Sequence, residues 1–342
     1  MHHALKIARL IAAGLLLAIP AVASCQIINF DPPGGTETQP AAINASGTIV
    51  GRYQEIDGDG VQPGFIRDAG GNFTALYGPV PDTTQTVPVS INDAGEITGW
   101  YSVGTNVHGF LQDAEGNYTS FDPPGSIATT PFSINSAGEI SGNYSTSGAG
   151  GDVGFLRDST GDFATFGGSG SCGDAVINAF VSASGEVAGT CSFHGGRTYT
   201  FFIRTASGVL TEYGNPFGGS VIYVQSINDR DVLAGFYTDA AGVTHGFWGN
   251  ASGLHSFDYP GAASTAPTAI NLTGTITGLY YDANSASHGF VRDQAGTFTS
   301  FDDPNAGMKV SQGTRPVAIN LFGQITGQFD GPNGVTHGFL RK

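Results

Sequence analysis

The segment Ile91-Asn92-Asp93-Ala94-Gly95-Glu96-Ile97-Thr98-Gly99-Trp100-Tyr101 decides the fold. Apolar residues flank a polar Asn-x-x-Gly turn, in which asparagine can cap through its side-chain oxygen and glycine supplies the positive φ that a hairpin needs. The spacing Ile-Asn-x-x-Gly-x-Ile-x-Gly-x-Tyr returns at 43–53, 134–144 and 270–280, and at 319–329 with Phe329 as the last residue. At 227–237 the turn glycine is Asp231, and the copy at 181–191 is the most divergent. The sequence thus holds seven copies, numbered here as units one to seven.

A second signature follows each core. His-Gly-Phe stands at His108-Gly109-Phe110, His245-Gly246-Phe247, His288-Gly289-Phe290 and His337-Gly338-Phe339. Units one and three keep only Gly64-Phe65 and Gly154-Phe155, and unit four has Phe201-Phe202. A short turn then leads to an aromatic, Thr-rich run such as Phe298-Thr299-Ser300-Phe301. Short alternating segments bounded by Gly, Asn and Asp are strands joined by hairpins. Each unit reads as a four-stranded antiparallel meander: A ends in Ile-Asn, B carries Ile-x-Gly-x-Tyr, C carries Gly-Phe and D the aromatic run.

Such a sheet cannot bury both faces alone, so the units must stack. A period in the forties with four strands per repeat predicts an all-β, seven-bladed β-propeller spanning 26–342 as one domain. Unit seven has no strand D after Gly338-Phe339, whereas Ile27-Ile28-Asn29-Phe30-Asp31 matches the D pattern of Phe301-Asp302. The expected ring is therefore closed by the N-terminal strand pairing with the last blade, giving 28 strands.

Glycine supplies 53 of 342 residues, about double its usual share, while charged residues make up only 12%. Long helices do not arise from such a chain, and 40% hydrophobic residues exceed what a disordered one carries. A net charge of −15 excludes a groove that neutralises nucleic-acid phosphates. Residues 1–24 read as a signal peptide: Lys6 and Arg9 precede an apolar run too short to span a bilayer, and Ala21-Val22-Ala23 offers a cleavage site. Soluble export to the periplasm or the exterior is the first reading, with no transmembrane helix in the mature chain. The alternative is a lipoprotein anchored through Cys25, since Val22-Ala23-Ser24-Cys25 matches a lipobox. In an oxidising compartment Cys172 and Cys191 are expected to form a disulfide.

The His-Gly-Phe signatures, with the Ile-Asn-x-x-Gly cores, resemble the bacterial extracellular HAF repeat family. The resemblance covers about 26–342, with Gly in place of the family's Ala in the triplet, and it implies no activity and no site residues.

Histidines from separate blades cannot converge on one metal ion, so each is expected to bond a backbone group or a neighbouring blade. The recurrent Asp31, Asp122, Asp258 and Asp302 read as turn caps. The aligned Tyr53, Tyr101, Tyr144, Tyr237, Tyr280 and Phe329 read as packing between blades. Asp57 and Asp59 resemble the start of a calcium loop whose later ligands are absent, so no cofactor is expected and calcium is the minor alternative. Function tends to break a repeat's symmetry, which nominates the irregular aromatics Trp100, Trp248, Tyr259 and Tyr281, and the polar residues Asp174, His194 and Arg197 of unit four, as ligand contacts. No catalytic motif is present. The expected protein is a monomeric, non-enzymatic exported scaffold binding a glycan or a protein through loops on one face of the ring. An enzyme acting on extracellular polysaccharide, with its site at the channel mouth, and a structural envelope or matrix protein are the alternatives.

Overall fold

A computed structural model describes residues 26–56, 60–147, 151–168 and 172–342. The leader at 1–24, Cys25, Asp57 and Asp59 lie outside the described residues. Everything regular among the described residues is β-strand, and none of them forms a helix long and apolar enough to cross a membrane.

Strand β1 (Ile27–Phe30) precedes unit one, β2–β5 (Gly35–Ile43, Ile49–Glu55, Gly64–Arg67, Phe73–Leu76), and unit two, β6–β9 (Gln85–Ile91, Ile97–Val103, Asn106–Gln112, Tyr118–Phe121). Units three and four are β10–β13 (Ser126–Ile134, Ile140–Thr146, Val153–Arg157, Phe163–Phe166) and β14–β17 (Ala175–Val181, Val187–Phe193, Thr198–Arg204, Leu210–Tyr213). Units five and six are β18–β21 (Val221–Ile227, Leu233–Thr238, Thr244–Asn250, Gly253–Phe257) and β22–β25 (Ser264–Ile270, Ile276–Tyr281, Ser287–Arg292, Phe298–Phe301). Unit seven supplies β26–β28 (Gly313–Ile319, Ile325–Asp330, Thr336–Arg341). Each unit is an antiparallel meander in the order A-B-C-D, and β1 pairs antiparallel with β28, Ile27 opposite Arg341 and Phe30 opposite Gly338.

Two glycine positions explain the motifs, one on strand B of every unit and one on strand C of every unit but the fourth. The strand-B glycine faces a carbonyl of strand A, where that strand bulges: a Cβ on Gly99 would overlap the Val87 oxygen and come within 2.9 Å of the Phe110 ring. The strand-C glycine is covered by the strand-D ring, so a Cβ on Gly289 would meet Phe301 at 2.7 Å. Phe of strand C thus sits on Gly of strand B, and Phe of strand D on Gly of strand C. These are close approaches in extended backbone, and they account for the Gly in His-Gly-Phe.

The core lies between units. Ile43, Ile49, Tyr53 and Phe65 of unit one pack on Phe30, Ala318 and Leu340 of the unit-seven sheet. On its other face unit one offers Ala42, Val50 and Ile66 to Ile91, Ile97, Tyr101 and Phe110 of unit two. The same arrangement recurs at the following boundaries. Each sheet therefore buries both faces only through its neighbours, which is why a single unit has no core of its own.

Asparagine after strand A does more than cap. Asn92 Oδ1 accepts from Glu96 N at 2.9 Å, closing its own hairpin, while Asn92 Nδ2 donates to the Asn135 carbonyl of the next unit at 3.1 Å. Asn44 donates in the same way to Asn92 O, Asn135 to Ser182 O, Asn228 to Asn271 O, Asn271 to Asn320 O, and Asn320 to Asn44 O. Aspartate in these places would keep the acceptor and lose the donor. Ser182 departs from the pattern, and so does Asp231 one unit on. The two are partners: Ser182 Oγ and Ser184 Oγ donate to Asp231 Oδ1 at 2.7 and 2.9 Å.

Cys172 and Cys191 are bonded and fully buried, with Cα atoms 5.0 Å apart and a sequence separation of 19. They lie in the core between units three and four. Closing a loop of this length stabilises by about 2 to 3 kcal/mol. The Cys172→Ser/Cys191→Ser double variant is expected to lose that amount in urea denaturation, and a loss near zero would count against the bond.

Candidate functional site

Strand A separates two faces. At its C-terminal end the A–B turns surround an axial cavity of about 290 Å³, lined by the repeated Ile and Asn residues, Asn44, Asn92 and Asn135 among them. Its asparagine amides are engaged in the hydrogen bonds just described, which tie successive units together.

At the opposite end lie the D–A and B–C loops, and there the histidines find partners. His108 Nδ1 lies 2.7 Å from Asp122, His245 Nδ1 2.9 Å from Asp258, His288 Nδ1 2.9 Å from Asp302 and His337 Nδ1 2.7 Å from Asp31. Each imidazole also rests on the strand-B aromatic of its unit, Tyr101, Tyr237, Tyr280 or Phe329, with ring centroids 4.9 to 5.3 Å apart. This corrects the expectation of a backbone or neighbouring-blade partner: the carboxylate following strand D is the partner. Asp122 and Asp31 also accept from the next strand A, through Thr129 Oγ1 and Thr38 Oγ1, whereas Thr265 and Thr314 accept from the backbone N–H of Tyr259 and Asp303. Tyr53, Tyr101, Tyr144, Tyr237 and Phe329 are buried and Tyr280 is half-buried, and Tyr101, Tyr237 and Tyr280 bond strand-D serines at 2.8 to 2.9 Å.

His245 stands between two carboxylates, with Asp239 Oδ2 3.4 Å from Nε2. Burial opposes the charged ring, yet Asp258 and Asp239 together hold its pKa above the ordinary value. A histidine raised on folding stabilises the fold fully below its unfolded pKa of about 6.5, and that contribution is lost as pH rises through the folded value. An NMR titration is expected to place His245 above 6.5, and Asp258→Asn to lower it. A titration at or below 6.5 would refute the pairing.

Units five and six place Asp239 and Asp282 beside Nε2, at 3.4 and 3.7 Å, whereas unit two has Val103 in that place and unit seven has Gly331. The space beside His337 is a cleft of about 450 Å³, lined by Asn29, Asn305, Phe329, Asn333 and His337. In the tautomer whose Nδ1–H donates a hydrogen bond to Asp31, His337 presents Nε2 as an acceptor. Next to it Asp303 is 2% exposed, accepts from Asn29 Nδ2 at 3.1 Å and from Asn305 N at 2.9 Å, and has Oδ2 without a protein partner. Burial raises the Asp303 pKa. Asp303 occupies the place of Pro32 and Pro123 in the other loops, and the repeat pattern concealed it.

The four nominated aromatics are not brought together. Trp100 is half-buried on β7 opposite Val87 and Gly109. Trp248 lies 4.8 Å from the His255 ring and lines a groove of about 240 Å³ between units five and six. Tyr259 stacks on Tyr280 at 3.8 Å within a core, and Tyr281 ends β23 opposite Ser264 and Ser287. Asp174, His194 and Arg197 share one loop cluster, in which Asp174 Oδ2 accepts from Gly195 N at 2.7 Å and so fixes the turn behind His194. His194 and Arg197 are exposed there. Among the described residues no group of three or more His, Cys, Asp or Glu side chains is arranged to hold a metal ion.

No family model matches the chain, and no curated protein matches it. Solved structures do. A streptogramin B lyase aligns at 12% identity over 93% of this chain and 98% of its own, with a TM-score of 0.60. Virginiamycin B lyase from Staphylococcus aureus aligns at 13% over 92% and 99%, with 0.58. The β-propeller domain of the Trilobed protease from Pyrococcus furiosus, with an open velcro topology, aligns at 7% over 89% and 95%, with 0.63. At these identities the likeness is one of fold, and the fold is that of a β-propeller.

Proposed function

We propose that the chain is an exported, HAF-type, seven-bladed propeller whose ring is shut by β1, and that it is a non-enzymatic scaffold binding a glycan on its D–A/B–C loop face. The closure reading rests on the β1–β28 pairing and on the head-to-tail asparagine bonds that run from Asn320 to Asn44. The observation that carries the function is the unit-seven cleft. Three asparagine amides and an oriented imidazole offer donors and acceptors in one opening, the complement of a surface rich in hydroxyl groups. The cleft appears where unit seven carries Gly331 in place of the aspartates of units five and six.

A glycan-array and hydrolysis screen on the purified protein tests this reading. Retention of a glycan without product release is expected, and the Asn305→Ala/Asn333→Ala variant is expected to weaken it at least tenfold, the effect of losing about 1.4 kcal/mol. Release of product would favour a polysaccharide-acting enzyme, with His337 as the first residue to test as its base. Absence of any retained glycan would leave the structural envelope role as the better account.

A further inference from the structure

In units two, five, six and seven an imidazole lies on the strand-B ring and is held by a carboxylate. Unit one keeps a ring and a carboxylate but has no imidazole. The residue before Gly64 is Pro63, and the residue after strand D is Tyr77 in place of aspartate. Glu55, at the end of β3, supplies the carboxylate: its Oε1 accepts from Tyr77 Oη at 3.0 Å and from Tyr53 Oη at 3.4 Å. Between these groups lies a cavity of about 210 Å³, lined by Tyr53, Glu55, Phe65, Phe73 and Tyr77 with Pro32 and Pro33 at its edge.

We propose that this cavity binds a small organic cation, a quaternary or methylated ammonium group, in the place that the histidine ring fills in the other units. Aromatic faces carry negative potential and attract such cations, the more so beside a carboxylate. The two tyrosine hydroxyls are tied to Glu55, so the rings are fixed before a ligand arrives. Tyr77 is 53% exposed and opens the site to solvent. No Lys or Arg lines it, and the chain's net charge of −15 draws cations toward it. The fold already seats cations on rings: the Arg67 guanidinium lies 4.9 Å from the centroid of Phe30, Arg157 5.2 Å from Phe121 and Arg341 4.8 Å from Phe301. Burial, then the neighbouring Tyr77 and Glu55, push the Tyr53 pKa upward, in keeping with a site that resists further negative charge and accepts positive charge. The site is separate from the unit-seven cleft and does not depend on glycan binding there.

The test is a calorimetric titration of the full protein with choline and with 3,3-dimethylbutan-1-ol, its uncharged isostere. Saturable choline binding is expected, with the isostere weaker by roughly tenfold or more. Glu55→Gln and Tyr77→Ala are each expected to weaken choline by a similar factor, with melting temperature unchanged, while Tyr77→Phe keeps most of the affinity. Sedimentation with phosphatidylcholine vesicles, against phosphatidylglycerol vesicles, separates a lipid headgroup from a soluble cation as the source of the ammonium group. Equal affinity for choline and its isostere, no choline binding, or choline binding untouched by both Glu55→Gln and Tyr77→Ala would overturn the proposal.

Discussion

Replacing Phe30 by alanine is expected to cost about 4 kcal/mol, the middle of the range for deleting a buried aromatic ring. Phe30 is 8% exposed, with ring centroids 6.2 Å from Phe65 and 6.0 Å from Phe73, and it covers Gly338. It belongs to β1, so these contacts join the start of the described chain to its end and to unit one. Phe121 holds the same position inside the chain, 6.2 Å from Phe155 and 6.1 Å from Phe163, with Arg157 over its ring. Urea denaturation of Phe30→Ala and Phe121→Ala should therefore give equal losses within about 1 kcal/mol, since both delete the same ring from equivalent seats. A Phe30→Ala loss under half of the Phe121→Ala loss would mean that β1 lies outside the cooperative unit.

Gly99→Ala is the second large effect. The new methyl group would overlap the Val87 carbonyl oxygen and lie 2.8 Å from Pro88 Cα, both backbone atoms, with the Phe110 ring behind them. Neither backbone atom can move without breaking the β6–β7 register, so the cost is expected at about 3 kcal/mol or more, the upper end for an overpacked core. Gly253→Ala is the control, because nothing lies within 4 Å of its Cβ and its φ is not in the left-handed region. It is expected to change stability by less than about 1 kcal/mol, and in the stabilising direction. Similar melting temperatures for the two variants would refute the account of the strand-B glycine.

The strand pattern and the cap made by the turn asparagine were legible because each is a local matter, decided within about ten residues. What escaped notice spans units. An arginine ends strand C in units one, three, four, six and seven, as Arg67, Arg157, Arg204, Arg292 and Arg341, and its guanidinium lies over the strand-D phenylalanine of the preceding unit. Unit two has Gln112 there, and the strand-D residue before it is Leu76 rather than an aromatic. Aligning each unit with itself hides this correlation; aligning each unit with its predecessor exposes it. The Ser182–Asp231 pair is of the same kind, its members 49 positions apart in sequence. The unit-seven cleft was harder still, since Asn29, Asn305 and His337 meet only after the ends of the chain do. The nomination of unit four followed sequence divergence, and divergence there goes with a disulfide and a rearranged Phe201–Tyr213 stack at 4.8 Å within the cores.

The pairing of β1 with β28 also has a history in time. During synthesis Ile27–Phe30 leaves the ribosome ahead of the other described strands and its partner Thr336–Arg341 after them, so the Asp31–His337 contact, 306 residues apart in sequence, waits until both have been made. Contacts between such distant residues form slowly, because the loop they close is long. Until then the edge of β1 lies open to other strands, a point at which the newborn chain is vulnerable to misassembly.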